Sequence, residues 1–408
     1  MKKILNINKK IKSFNKNIFV EGDKSLSIRW VLISSLSKKK SVAYNLLKSE
    51  DVMSSINCIK SLGSKVKFKN NKCEIIGNGF NIKKKGIISI NAGNSGTLGR
   101  IILGLLINSK NKIKLIGDKS LSKRDFSRVI KPLKKFGAKF NTKKNLPLIM
   151  RGIKNPKPIK YFETRGSAQC KTSIMFAALK SKGTTEIKAR KSRNHTELLF
   201  KHLKIPIRIK KNKNFDIIKI KGIKKINPLN YKVPGDISSC AFFLVLTILS
   251  DNSQLLIQNV NINPSRIGII SILKKMGAFI KLKNSKIYKG EKIADIFVKS
   301  SKNLKSINCP KEWNSSAIDE FLIIFLVAAK SKGISYFKNI GELNQKESPR
   351  LIWASKILNL IGVKNIMTKS SLKIYGNPNL VLNKKIIIKN FLKDHRIFMM
   401  SAIAALTL

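Results

Sequence analysis

Acid is scarce in this chain: 21 Asp and Glu stand against 83 Lys and Arg, for a formal charge of +62 over 408 residues. Such an excess would suit a nucleic-acid partner, and it draws any anionic substrate towards the protein. A nucleic-acid module would gather its charge into one stripe interleaved with aromatics, and no such stripe is present. Lysines are spread through almost every segment. Only 12 of the 83 basic residues are arginine, and with abundant Ile and Asn this imbalance reads as compositional drift in an A/T-rich genome. Nucleic acid is therefore not the expected partner. Cysteine is sparse too: Cys58, Cys73, Cys170, Cys240 and Cys309 are scattered and never spaced CxxC. That excludes a disulfide framework and a zinc site, and it points to a reducing, cytoplasmic setting. Long apolar runs are missing, since 241–249 and 321–329 are too short to cross a bilayer. No apolar stretch follows the basic N-terminus, so neither a secretory signal nor a membrane partner is expected.

The chain does have hydrophobic mass. At 43 % hydrophobic it can bury large cores, which excludes a disordered chain. Its length exceeds one ordinary core, so two domains are expected. One pattern recurs, an amphipathic helix that stops at a turn residue and gives way at once to a short strand. It appears at 58–68, 132–140, 199–209, 272–282 and 357–366. Apolar residues at i, i+3 and i+4 mark each helix, Gly63, Gly137, Gly277 and Gly362 read as C-caps, and alternation marks each strand. A period this long implies several copies of one α/β unit. A sixth helix starts near Asp394, and its matching strand is missing.

Helix starts are equally regular. Gly22-Asp23-Lys24-Ser25, Asn94-Ser95-Gly96-Thr97, Gly166-Ser167-Ala168-Gln169 and Gly235-Asp236-Ile237-Ser238 each precede an apolar helical run. Such residues cap a helix and leave N–H groups pointing outward, where the macrodipole attracts phosphate or carboxylate. One such start is an ordinary cap; several, each with a Lys, Arg or Gln nearby, suggest a shared anion site. Arg29, Arg100, Arg124, Arg193, Arg350 and Arg396, half of the arginines, lie in or beside these turns. Only the planar guanidinium forks onto an oxyanion with two parallel bonds, so a lysine-rich chain that keeps Arg there has a use for that geometry. Structural salt bridges are the competing reading, above all for Arg100 inside its helix. Two carboxylates stand out from the lysine background: Asp319 opens the apolar helix 321–330, and Glu347 lies in Gln-Lys-Glu-Ser-Pro-Arg. Ser348 as N-cap and Pro349 as first helical residue would start a helix beside Glu347 and Arg350.

The blocks GDKSLSIR (22–29), NAGNSGTLGR (91–100), GDKSLSKRDFSRVIKPL (117–133), GSAQCKTS (166–173), SRNHTE (192–197), VPGDISSCAFFL (233–244), IDEF (318–321), QKESPR (345–350) and KDHRI (393–397) resemble the EPSP synthase family in order and content. The resemblance covers roughly residues 10–408. It implies an α/β (α+β) fold, a two-domain inside-out α/β barrel of repeated βαβαββ units, three per domain. The first domain would comprise 1–21 plus 235–408 and the second 22–234, with substrates in the cleft between them. Family members carry a further strand and helix after the DHRI helix, so the sixth unit reads as truncated.

What the resemblance implies for chemistry is transfer of the enolpyruvyl group of phosphoenolpyruvate to the 5-hydroxyl of shikimate 3-phosphate, by a cytoplasmic monomer, with no metal or organic cofactor required. Lys24, Ser25, Arg29, Ser167, Ala168, Gln169, Arg193, Asp319 and Lys346 match residues that hold shikimate 3-phosphate. Lys24, Gly96, Arg124, Gln169, Arg350 and Arg396 match the phosphoenolpyruvate site. Asp319 matches the group that takes the hydroxyl proton and Glu347 the acid at C3, with Lys24 able to share either task. Several positions depart from the family: Glu21 and Asp125 replace Pro, Asn344-Gln345 replaces Arg-Val, and Pro349 replaces Asp. Three other readings stay open. UDP-N-acetylglucosamine enolpyruvyl transferase shares fold and donor but typically carries a reactive Cys in the loop matching 117–128, where this chain has none. The others are an inactive descendant and a basic RNA-binding protein on the same fold.

Overall fold

The computed structural model describes residues 5–79, 86–142, 144–382, 385–388 and 394–408; Lys393, the first residue of the KDHRI block, lies outside them. The chain divides into two compact units. The first is Met1–Val20, Gly235–Ile287 and Lys292–Leu408; the second is Glu21–Pro234 with Tyr288–Glu291. Both are built from the helix-turn-strand element. In Glu50–Ser61 the helix ends because Gly63 turns left-handed (φ 97°), which lets Gly63 N–H reach Lys60 O (2.8 Å) and Ser64 N–H reach Ile59 O (2.9 Å). Lys204 occupies the equivalent turn after His195–His202 with φ 56°, a conformation that costs a side-chain-bearing residue about 1 kcal/mol.

Three sheets of the second unit share one topology. In the sheet ordered Lys160–Glu163, Thr184–Arg190, Phe215–Lys221, Ile207–Lys211, the first pair is parallel and the rest antiparallel. Ile87–Asn91, Lys112–Ile116, Leu148–Arg151 and Lys139–Phe140 repeat it. A helix crosses between each parallel pair, as parallel pairing demands. The remaining sheet begins with Tyr231–Lys232, which pairs in parallel with Ser41–Tyr44 some 188 residues earlier. In the first unit Asn15–Phe19 pairs likewise with Gln254–Asn261. Each of these opening strands is thus separated from its sheet by a long stretch of chain, and the polypeptide passes from one unit to the other after residues 20 and 234. Gly333–Phe337, Leu372–Gly376 and Asn365–Met367 form a three-stranded sheet, with parallel bridges Lys305–Lys332 and Asn308–Tyr336 beside its edge. The result is a mixed α/β fold.

The helices that open on the anion-binding motifs are buried almost all round: Lys24–Ser34 and Ala168–Ala178 bury nine residues each, and Gly96–Leu105 buries all but Thr97. Phe321–Ala329 is buried at every position, with Phe321, Phe325 and Phe337 packed edge to face or stacked. Helices apolar on every face belong in a core, and there their ends cannot drift. Gly104 brings two of them together, since a Cβ there would lie 1.9 Å from Ser173 O. Among the described residues no helix is long and apolar enough to cross a membrane.

Candidate active site

The sequence-selected residues fall into two clusters, one in each unit. In the second unit, Asp23, Ser95 and Ser167 cap the helices Lys24–Ser34, Gly96–Leu105 and Ala168–Ala178, accepting from Leu26 N (2.9 Å), Leu98 N (3.2 Å) and Cys170 N (3.2 Å). Close approach at Gly104 sets the last two helices side by side. Gln169, near the start of its helix, spans the gap: Nε2 donates to Thr97 Oγ1 (3.0 Å) and Oε1 accepts from Arg100 Nη1 (2.6 Å). Arg100 also donates from Nη2 to Asp125 O (3.2 Å) and lies over Phe126. It braces the helix start, as its position inside the helix suggests. Arg124 Nη2 donates to Asn94 Oδ1 (2.8 Å).

These groups converge on Gly96. A Cβ there would stand 2.8 Å from Arg100 Nη1 and 3.2 Å from Arg124 Nη1. Burial, joined by the charges of Arg124 and Arg128 and opposed by Asp125, lowers the Arg100 guanidinium to about 10. The Nε atoms of all three arginines are buried without a hydrogen-bond partner. Packed guanidiniums at a helix N-terminus form a place where an anion relieves repulsion that the protein itself does not.

Arg29 is buried (3 % exposed) and donates to Thr196 Oγ1 (2.8 Å), Thr172 Oγ1 (3.2 Å) and Ser25 O (3.0 Å). Burial, aided by the charge of half-buried Arg193, brings it down to about 10 against the opposing charges of Glu197 and Asp23. Lys24 Nζ pairs with Asp51 at 3.2 Å. Lys171 and Glu197 form a buried pair at 2.5 Å, and His195 Nδ1 meets Glu291 Oε1 at 2.8 Å. Tyr288 stacks on Tyr231 (5.5 Å) and accepts from Lys232 N, which places the turn 288–291 in this unit.

The first unit gathers Asp319, Lys346, Glu347, Arg350 and Arg396. Arg350 is 2 % exposed and joins three carboxylates: Nε donates to Asp394 Oδ2 (2.9 Å), Nη2 to Glu347 Oε2 (2.5 Å), and Nη1 lies 3.7 Å from Asp319 Oδ1. Asp319 Oδ1 is also 3.6 Å from Lys346 Nζ, and its backbone carbonyl accepts from Arg396 Nη1. Asp319 thus lies beside two cations, and Glu347 is held on the same guanidinium, so two carboxylates with proton-transfer chemistry share one anchor.

One local expectation fails. The helix begins at Arg350 with Pro349 as its N-cap, and Ser348 does not cap it. Ser348 Oγ donates instead to Asp394 Oδ2 (2.7 Å), 46 residues away. The cap comes from Asn344, whose Oδ1 accepts from Leu351 N (3.1 Å) and Ile352 N (3.4 Å). Sequence reasoning gave no site role to Asp51, Glu320 or Asp394, and took Asn94 only as part of a helix start. Scarcity of acid was the available signal: with 21 acidic residues in the chain, an acid beside Asp319 and another opening the last helix were both candidates.

Residues 8–408 match the family model described as EPSP synthase (3-phosphoshikimate 1-carboxyvinyltransferase). The chain is 38 % identical over 389 residues to the 3-phosphoshikimate 1-carboxyvinyltransferase of Ruthia magnifica subsp. Calyptogena magnifica, an alignment covering 95 % of this chain and 88 % of that protein. It is 38 % identical over 392 residues to the protein of the same name from Caldicellulosiruptor saccharolyticus, covering 95 % and 89 %. A solved EPSP synthase from Acinetobacter baumannii superposes with a TM-score of 0.85 at 32 % identity, covering 98 % of this chain and 91 % of that one.

Proposed function

The chain belongs to the EPSP synthase family, and from that premise we propose that its two clusters divide the work of one reaction between anion binding and proton transfer. The reaction is transfer of the enolpyruvyl group of phosphoenolpyruvate to the 5-hydroxyl of shikimate 3-phosphate. Asp319 takes the hydroxyl proton as the oxygen attacks C2, and Glu347 delivers a proton to C3, giving a tetrahedral intermediate. C3 then loses a proton, C2–O cleaves, and phosphate leaves as the double bond re-forms. Lys24 shares the proton transfers. Lys24, Ser25, Arg29, Ser167, Ala168, Gln169, Arg193, Asp319 and Lys346 bind shikimate 3-phosphate; Lys24, Gly96, Arg124, Gln169, Arg350 and Arg396 bind phosphoenolpyruvate and steady the departing phosphate. The enzyme acts as a monomer in the cytoplasm.

The observation that carries this reading is Arg350, one buried guanidinium that ties Asp319 and Glu347 into a single acid–base unit. The test is phosphate release with both substrates and with each alone. Release only with both is expected; no release from a folded protein would favour the inactive descendant or RNA-binding readings. The cluster at Gly96 makes a second prediction. In Gly96→Ala the methyl presses on Arg100 Nη1 and Arg124 Nη1 and touches Leu121 Cδ1 (3.7 Å); no backbone atom is among these nearest neighbours, so the fold survives while both guanidiniums are displaced. The KM for phosphoenolpyruvate should rise about tenfold, with that for shikimate 3-phosphate little changed. Equal changes in both would place the donor elsewhere.

A further inference from the structure

Glu320 is used by none of the steps above, yet it lies at the centre of the first unit's polar network. It is 1 % exposed and directly precedes the helix Phe321–Ala329. Glu320 stands at the N-cap position, and its side chain makes no cap bond. Its Oε1 accepts from Ser238 Oγ (2.5 Å) and lies 3.6 Å from Arg396 Nη1. Oε2 is buried with no hydrogen-bond partner. Ser238 Oγ accepts in turn from buried Arg266 Nη2 (2.8 Å), which also reaches Asp236 Oδ1 (3.3 Å), the cap of Ile237–Leu249. Burial pushes the Glu320 carboxyl upward and adjacent Asp319 adds to this, against Arg396, Arg266 and the Ser238 bond. Holding an incompletely paired carboxyl in a core lowers stability, so packing does not account for Glu320.

Its geometry relative to Arg396 does. The nitrogen of Arg396 that Glu320 faces is the one that donates to the backbone carbonyl of Asp319. We propose that Glu320 is a positioning residue for phosphoenolpyruvate: it fixes the Arg396 guanidinium against the Asp319 backbone, so that the donor-binding arginine and the proton-accepting carboxylate keep one register. The proposal rests on the roles given above to Asp319 and Arg396. It adds that donor affinity depends on a carboxylate that touches no substrate.

The decisive variant is Glu320→Gln, which keeps shape and the Ser238 contact and removes the charge. Titrating phosphoenolpyruvate alone by calorimetry needs no acceptor and no turnover. The dissociation constant should weaken about tenfold. In steady state the KM for phosphoenolpyruvate should rise in step, while that for shikimate 3-phosphate stays within about twofold. Ser238→Ala keeps the charge but frees it to turn, so it should show a smaller change of the same kind and decides the matter if the Gln variant does not fold. Unchanged donor affinity, or an equal loss for both substrates, would overturn the proposal. Wild-type phosphate release tests the reaction separately: a protein that releases none, yet loses donor affinity in Glu320→Gln, would refute the reaction and leave the positioning role standing.

Discussion

Asp319→Asn is expected to lower phosphate release by about a thousandfold while leaving shikimate 3-phosphate binding within a few-fold of wild type. The substitution keeps volume and an oxygen facing Lys346 and Arg350, which lie 3.6 and 3.7 Å from the native carboxylate. What it removes is a group that can accept the hydroxyl proton at neutral pH. Stability should respond less than rate, because both pairs are long and the Asp319 side chain is partly exposed (16 %). Rate and affinity are measured separately, the first by steady-state phosphate release and the second by direct titration. A rate within tenfold of wild type would move the base to another residue, with Glu347 first in line. Loss of rate and binding together would make Asp319 chiefly a ligand for the acceptor.

What the sequence shows and what it hides divide along the range of the interactions. The helix-turn-strand element is local, since Gly63, Gly137, Gly277 and Gly362 all turn left-handed where the helices stop, and periodicity reveals such stops. The opening strands are a different matter. Nothing in Asn15–Phe19 announces Gln254–Asn261 as its partner, and nothing in Tyr231–Lys232 announces Ser41–Tyr44. At the site, residue type exposed Asp319, Glu347 and the arginines, because forked donors and isolated carboxylates are unusual in a lysine-rich chain. Ser348 shows where local rules lose. It has cap chemistry in the right place, but a buried carboxylate 46 residues on takes its hydroxyl, and Asn344 supplies the cap. Glu320 could be singled out as a scarce acid but not given a role, since its meaning resides in Ser238 and Arg396. Some of the lysines have a use that only the sheets show. Lys188 lies over Phe162 and Phe215, Lys299 over Phe279 and Phe297, and Lys373 over Tyr336 and Tyr375. The ammonium groups of these lysines stand over the ring faces, 4.2–5.8 Å from the centroids.

Arg350→Met should lower stability and activity at once, and pH separates the two effects. Arg350 and Asp394 are both buried and bonded at 2.9 Å; removing one partner of such a pair costs about 3–5 kcal/mol, a large share of the ordinary stability of a domain. In the native protein burial raises the Asp394 carboxyl, but Arg350, Ser348 and the Arg396 backbone N–H more than offset it and hold it below the usual carboxylate range. A depressed folded value means the stabilisation is complete above the unfolded value of about 4, and it fades as pH falls through the folded one. Without Arg350 the balance inverts. Burial then dominates, the folded value rises above the unfolded one, and ionised Asp394 becomes a penalty that protonation relieves. The thermal midpoint of the variant should therefore lie furthest below wild type near pH 7, and the gap should narrow as pH approaches 4. Arg350→Met combined with Asp394→Asn should recover much of the loss at pH 7, since no buried charge is stranded. Activity should not return in that double variant, because Asp319 and Glu347 still lack the guanidinium that joins them. A gap independent of pH would mean that packing around Arg350, and not its charge, holds this part of the unit together.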